Sequence, residues 1–129
     1  MKRFAQNPII SRKDIISTDP RLKDPSSVFN PGGTIFEEQI LLLLRCQNRA
    51  RETYLLKAVS KDGKRFEIDE HAVEFRGLEQ IPYKIYHIYD PRLTRIVDRY
   101  LITTAIDTDQ GCYCGIFETT DFQTLELIS

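Results

Sequence analysis

From residue 34 onward the apolar residues fall into short runs and alternations bounded by turn-forming residues, and none of them keeps the spacing of an amphipathic helix. Four strands are predicted in a first group: Thr34 to Phe36, Ile40 to Cys46, Thr53 to Ser60, and Arg65 to Ile68. The last two flank Asp62-Gly63, whose glycine takes a positive φ at little cost and predicts a tight hairpin. After a connector from Asp69 to Pro82 the plan returns, with strands predicted at Tyr83 to Ile88, Thr94 to Val97, Tyr100 to Ile106, Cys112 to Thr119 and Thr124 to Ile128. Residues 1–27 are polar and broken by Asn7-Pro8, Asp19-Pro20 and Asp24-Pro25-Ser26-Ser27, which predicts an arm or entry strand rather than a helix.

The two groups are copies. Val28-Phe29-Asn30-Pro31 and Ile88-Tyr89-Asp90-Pro91 share the order β-branched, aromatic, short polar, proline at an offset of 60 residues. With a one-residue slip, Ser60-Lys61-Asp62 matches Thr119-Thr120-Asp121, and Arg65-Phe66-Glu67-Ile68 matches Thr124-Leu125-Glu126-Leu127. Repeats of this length mark solenoids and propellers, and the absence of helical periodicity excludes ankyrin and tetratricopeptide arrays. The predicted fold is an all-β propeller with two four-stranded antiparallel blades, residues 28–82 with the connector and residues 83–129. A β-sandwich is the alternative, disfavoured because whole strand groups repeat in series. Two blades leave apolar faces and strand edges uncovered, which predicts a larger whole, a partner subunit, or self-association through the edges.

Composition narrows the function. Of 129 residues, 41% are apolar and 29% charged, the balance of a globular domain, and 18 basic against 19 acidic residues leave a net charge of −1. No basic footprint for nucleic acid or an anionic membrane surface results. The longest apolar run, Ile40 to Leu44, is far below the roughly 20 residues of a spanning helix, and no signal-peptide pattern follows Met1-Lys2-Arg3. Cys46, Cys112 and Cys114 cannot all pair internally, which favours free thiols and a cytoplasmic address. Cys112 and Cys114 lack zinc spacing, so they are read as small strand residues and no metal site is expected.

The innermost strands of propeller blades line the axis, so residues at equivalent places on them converge on one pocket. Asn30 and Asp90 fit that description, and the following prolines predict extended geometry for both. Asn-Pro and Asp-Pro also commonly start turns, which is the competing reading. Arg92, two residues past Asp90, is expected on the same side of an extended strand, where its charge would keep the carboxyl ionised. Arg45 ends the apolar run with a planar fork of donors suited to sugar hydroxyls, carboxylate or phosphate. Tyr89 could lie along a sugar ring, whereas His71 and His87 have no partner in a nucleophile–base pattern and are read as structural.

Several segments together resemble glycoside hydrolase family 130: Asn7-Pro8-Ile9-Ile10, Val28 to Gly32, Leu42-Leu43-Leu44-Arg45, Ser60-Lys61-Asp62-Gly63 with Phe66, Tyr89 to Thr94, and Thr119-Thr120-Asp121-Phe122. The resemblance spans nearly the whole chain and implies a five-bladed propeller acting on β-mannosides. It makes Asp90 the catalytic acid and places Asn30 and Arg45, with Arg92 and Tyr89 beside them, on the sugar. The implied reaction is attack of inorganic phosphate, a co-substrate in place of any cofactor, on the anomeric carbon with inversion, giving α-mannose 1-phosphate. A hydrolase of the same family, or a non-catalytic carbohydrate-binding or assembly module, are the alternatives. Family enzymes continue for further blades that carry the phosphate-binding cations, and Cys114 stands where some relatives have Arg, so the isolated chain is expected to be inactive.

Overall fold

A computed structural model describes residues 2–129, and among them nine strands form two separate sheets. The first sheet is antiparallel in chain order: β1 (Ser27–Phe36), β2 (Gln39–Gln47), β3 (Thr53–Ser60) and β4 (Glu67–Ile68). The second contains β5 (Glu74–Arg76), β6 (Ile85–Ile96), β7 (Arg99–Thr108), β8 (Gly111–Thr119) and β9 (Thr124–Leu127), in the order β5-β9-β8-β7-β6. Tight turns build both sheets: Glu37 and Glu38 take φ of 48° and 61° between β1 and β2, and Val97 takes 56° between β6 and β7. Such left-handed turn residues match the twist of the strands they join.

Strand alternation explains the packing. On β2, Leu41 and Leu43 face the second sheet, where they meet Ile88, Ile102, Phe117 and Leu125 in a continuous core. Leu44 and Cys46 point the other way and are covered by Ile15 and Leu22 of the N-terminal arm. The run Ile40 to Leu44 is apolar throughout because both faces of this strand are covered. Phe36, Tyr100 and Phe122 seal the far end with ring centroids 4.7 to 5.9 Å apart, and the Tyr100 hydroxyl donates to the Ile35 carbonyl across the sheets at 2.9 Å.

The structural repeat is deeper than the letters suggest. The Ser60 hydroxyl accepts from the backbone N–H of Asp62 and Gly63, while Asp62 Oδ1 accepts from Lys64 and Arg65. Thr119 and Asp121 repeat the same four bonds to Asp121, Phe122, Gln123 and Thr124. Phe122 therefore occupies the left-handed position that Gly63 fills in the first copy, with φ of 59° against 69°.

Three expectations need correction. The Asp62-Gly63 turn is not a tight hairpin but part of a wider loop between β3 and β4, held by these side-chain bonds. Tyr83 to Ile88 and Thr94 to Val97 are not two strands, because β6 runs continuously through Asp90-Pro91. The stretch assigned as connector supplies β5, which pairs in parallel with β9 and makes the second blade five-stranded rather than four-stranded. Of the two forms expected for the N-terminal segment, residues 2–26 take that of an arm and not of an entry strand: they contain short 3-10 turns at Arg12–Asp14 and Pro20–Leu22, capped by Ser11 and Asp19. Among the described residues no helix is long and apolar enough to cross a membrane.

Candidate functional site

Each innermost strand, β1 and β6, carries a β-bulge at the repeated tetrapeptide. The register of β1 against β2 passes from Phe29–Arg45 to Gly32–Leu43, so Asn30 and Pro31 together oppose Leu44. The register of β6 against β7 passes from Tyr89–Ala105 to Arg92–Thr103, so Asp90 and Pro91 oppose Thr104. The bulged residues have positive φ, 43° at Asn30 and 55° at Asp90, instead of the extended geometry expected before proline. Asn and Asp are the non-glycine residues that tolerate this region best, and a bulge can require it. That preference accounts for a short polar residue at each position. It does not account for where the two side chains go.

They go to each other. Asn30 Nδ2 donates to Asp90 Oδ1 at 3.1 Å, and Arg45 Nη1 donates to the same oxygen at 2.8 Å. Arg45 reaches this point because it continues the Leu41–Leu43 face of β2 toward the second sheet. Its side chain is only 16% exposed, against 32% for Asp90, and its Nε is buried with no hydrogen-bond partner. The guanidinium carbon lies 4.4 Å from the ring centroids of both Phe29 and Tyr89.

These contacts set the charge of Asp90. Burial pushes its carboxyl upward, but the hydrogen bonds from Asn30 and Arg45 and the positive charges of Arg45 and Arg92 outweigh burial and hold it below the usual carboxylate range. Asp90 in the free protein is an ionised carboxylate with one oxygen engaged by two donors. Arg92 does not bond it. The extra bulge residue breaks the alternation from which a shared side was expected, and the Arg92 guanidinium donates instead to the Pro91 carbonyl at 3.1 Å. Tyr89 has one ring face on Arg45 and its hydroxyl 3.9 Å from Cys112 Sγ, a contact that, with partial burial, raises its pKa.

The structure thus brings Asn30, Arg45, Tyr89 and Asp90 together and leaves Arg92 adjacent. Phe29 and Gly32 were not singled out by sequence reasoning. The available signal was the aromatic at both 29 and 89 in the repeat. At Gly32 β1 and β6 pass too closely for a side chain, since a Cβ there would overlap the Pro91 carbonyl oxygen and Leu93 Cδ1. A cleft of about 680 Å³ lies elsewhere, between Ile96, Asp98, Arg99, Glu118 and Thr124. Two of its lining charges, Arg99 and Glu118, already pair with each other at 2.8 Å. His87 lies apart from Asp90, lining a cleft with Arg21, Tyr54 and Phe75. Among the described residues no group of three or more His, Cys, Asp or Glu side chains is placed to hold a metal ion.

The model of a family described as beta-1,4-mannooligosaccharide phosphorylase matches residues 1–128. The chain belongs to glycoside hydrolase family 130. Solved structures share its fold. A putative glycoside hydrolase from Parabacteroides distasonis superposes with a TM-score of 0.79 at 20% identity, over 98% of this chain and 40% of that one. Beta-1,2-mannobiose phosphorylase from Listeria innocua, in complex with beta-1,2-mannobiose, superposes with a TM-score of 0.77 at 21% identity, over 97% of this chain and 49% of that one. A GH32 beta-fructofuranosidase from Bombyx mori follows at 0.63 and 16% identity, over 78% of this chain and 22% of that one. The family 130 chain therefore spans less than half the length of these relatives, and its two sheets are blades of a five-bladed type of propeller. No curated protein sequence matches.

Proposed function

We propose that these two blades carry the acid and part of the sugar site of a β-mannoside phosphorylase. Asp90 is the acid, Asn30 and Arg45 contact the mannose at the cleaved bond, Arg92 stands beside it, and Tyr89 offers its free edge. Inorganic phosphate attacks the anomeric carbon, the glycosidic C–O bond breaks, and the leaving oxygen takes a proton that originates on Asp90, giving inverted α-mannose 1-phosphate. The observation that carries this reading is the convergence of Asn30 and Arg45 on one oxygen of Asp90.

Asp90 is ionised in the free protein, so its proton is acquired with the ligand bound. A sugar seated on the carboxyl removes water from it and draws donors from Arg45 and Asn30 onto its hydroxyls, both of which raise the carboxyl toward neutrality. Cations for the phosphate belong to further blades in this reading, so the two blades alone bind mannosides without turning them over.

The test has two parts. In the 129-residue chain, β-mannobiose should perturb the NMR signals of Asn30, Arg45 and Asp90, and Asp90→Asn or Arg45→Met should weaken binding. In the complete propeller, mannose 1-phosphate should form only with phosphate present, and Asp90→Asn should lower turnover by about a hundredfold or more. The glycoside hydrolases among the similar structures favour a second reading, hydrolysis. Free mannose released at an unchanged rate without phosphate would replace phosphorolysis with it.

A further inference from the structure

Arg45 is held in an unusual way for a functional guanidinium. Arginine normally fixes its plane through paired hydrogen bonds from its fork. Here one N–H bond reaches Asp90 from Nη1, while Nε is buried without a partner. A single bond sets a distance but leaves the plane free to turn. What lies against it is aromatic: the Phe29 and Tyr89 rings, each with its centroid 4.4 Å from the guanidinium carbon.

The two rings come from equivalent places in the two blades, immediately before the bulged residues. Phe29 lies opposite Arg45 in the β1–β2 register; Tyr89 lies opposite Ala105, which is too small to occupy the corresponding position. Two repeat-related rings thus serve one cation. The Tyr89 hydroxyl lies at the far end of the second ring, 3.9 Å from Cys112 Sγ on β8.

We infer that Phe29 and Tyr89 are positioning residues that clamp the Arg45 guanidinium between their faces and so fix it against Asp90. The inference rests on the reading of Asp90 as the acid, but concerns how its charge is set. The groups facing Asp90 are Asn30 from β1, Arg45 from β2 and Arg92 from its own strand. Of these, Arg45 is the charged one in direct contact, so its mobility governs how strongly the carboxyl holds a proton.

The test uses the 129-residue chain and needs no turnover. The Asp90 carboxyl carbon is titrated by NMR in the wild type, Phe29→Leu, Tyr89→Leu and Tyr89→Phe. The clamp predicts that proton affinity at Asp90 rises about threefold to tenfold in either leucine variant and returns to the wild-type value in Tyr89→Phe, which keeps the ring. A merely structural role would lower the melting midpoint without moving this titration. Leucine variants that stay folded with Asp90 titrating as in the wild type would overturn the inference. Should a leucine variant fail to fold, the wild type decides alone: rotation about the Arg45 Nε–Cζ bond, read from its Nη signals, must be slow compared with exposed arginines such as Arg51, and free rotation overturns the clamp. Failure of mannoside binding would count against the proposed function and leave these titrations untouched.

Discussion

Replacing Gly32 with alanine tests whether the two blades approach as closely as the site requires. Gly32 is buried on β1 just past the first bulge, and it faces the second bulge of β6. A Cβ built there falls under 3.0 Å, the limit real Cβ atoms respect, from both the Pro91 carbonyl oxygen and Leu93 Cδ1, with the Pro91 carbonyl carbon at 3.0 Å. Leu93 could rotate away. The carbonyl cannot, because it belongs to the backbone of a paired strand and also accepts from Arg92. The strands must therefore part by several tenths of an ångström at the place where Asn30 and Asp90 meet at 3.1 Å, which carries that bond past a useful length. Overpacking of this kind costs about 1–3 kcal/mol, read as a melting midpoint several degrees lower. Asp90, losing the Asn30 donor, should titrate higher in the NMR experiment. Gly33→Ala is the control: its Cβ would press on the end of the Leu42 side chain, at 3.1 Å, and meet the Leu41 carbonyl oxygen at an ordinary 3.7 Å, so the loss should be smaller and Asp90 unmoved. A Gly32→Ala chain as stable as the wild type, with an unchanged Asp90 titration, would refute the close approach of the bulges.

Phe122→Ala should cost about 3–5 kcal/mol in urea unfolding, because a fully buried ring packed on Phe36 and Tyr100 is removed from between the sheets; a loss below 1 kcal/mol on the same scale would mean the ring is not a core element. Asp62 is held at about 2, against an ordinary value of 3.8, by the backbone N–H groups of Arg65 and Lys64. Its folded value is depressed, so its contribution is complete above 3.8 and is lost as pH falls toward 2. Asp62→Asn should flatten the stability profile in that window; an identical acid limb would exclude the loop. Burial pushes the Cys46 thiol up to about 12, so a thiol reagent should label Cys112 and Cys114 in the native chain and reach Cys46 only on unfolding, whereas native labelling of all three would show the arm does not cover β2.

How far the letters carried depends on range. β2 was legible as a strand carrying Arg45, but its unbroken apolar run did not say which face Arg45 shares; pleating puts it with Leu41 and Leu43. The repeat was legible as well, and it correctly paired Asn30 with Asp90. What misled was the proline rule: the residue before proline usually avoids helical and left-handed backbone, yet at both bulges the short polar residue sits at positive φ. The preference was overridden by a requirement that comes from across the strand pair, two residues opposing one, which no single strand announces. The same limit hid β5, three residues whose identity as a strand depends on β9 fifty positions later, since Glu74 pairs with Thr124.

Nor could spacing show that Arg45 packs on two rings, since Phe29 and Tyr89 come from different sheets and reach it together only when the blades pack. The site is thus assembled at an interface. Asn30, Phe29 and Arg45 come from one blade, Tyr89 and Asp90 from the other, and Gly32 sets the gap between them. A site divided in this way ties the charge state of Asp90 to blade packing: any change that shifts the sheets by a fraction of an ångström alters the donors on Asp90 before it unfolds anything. That is why the Asp90 titration, rather than the melting midpoint, is the more sensitive gauge of whether these residues work as a unit.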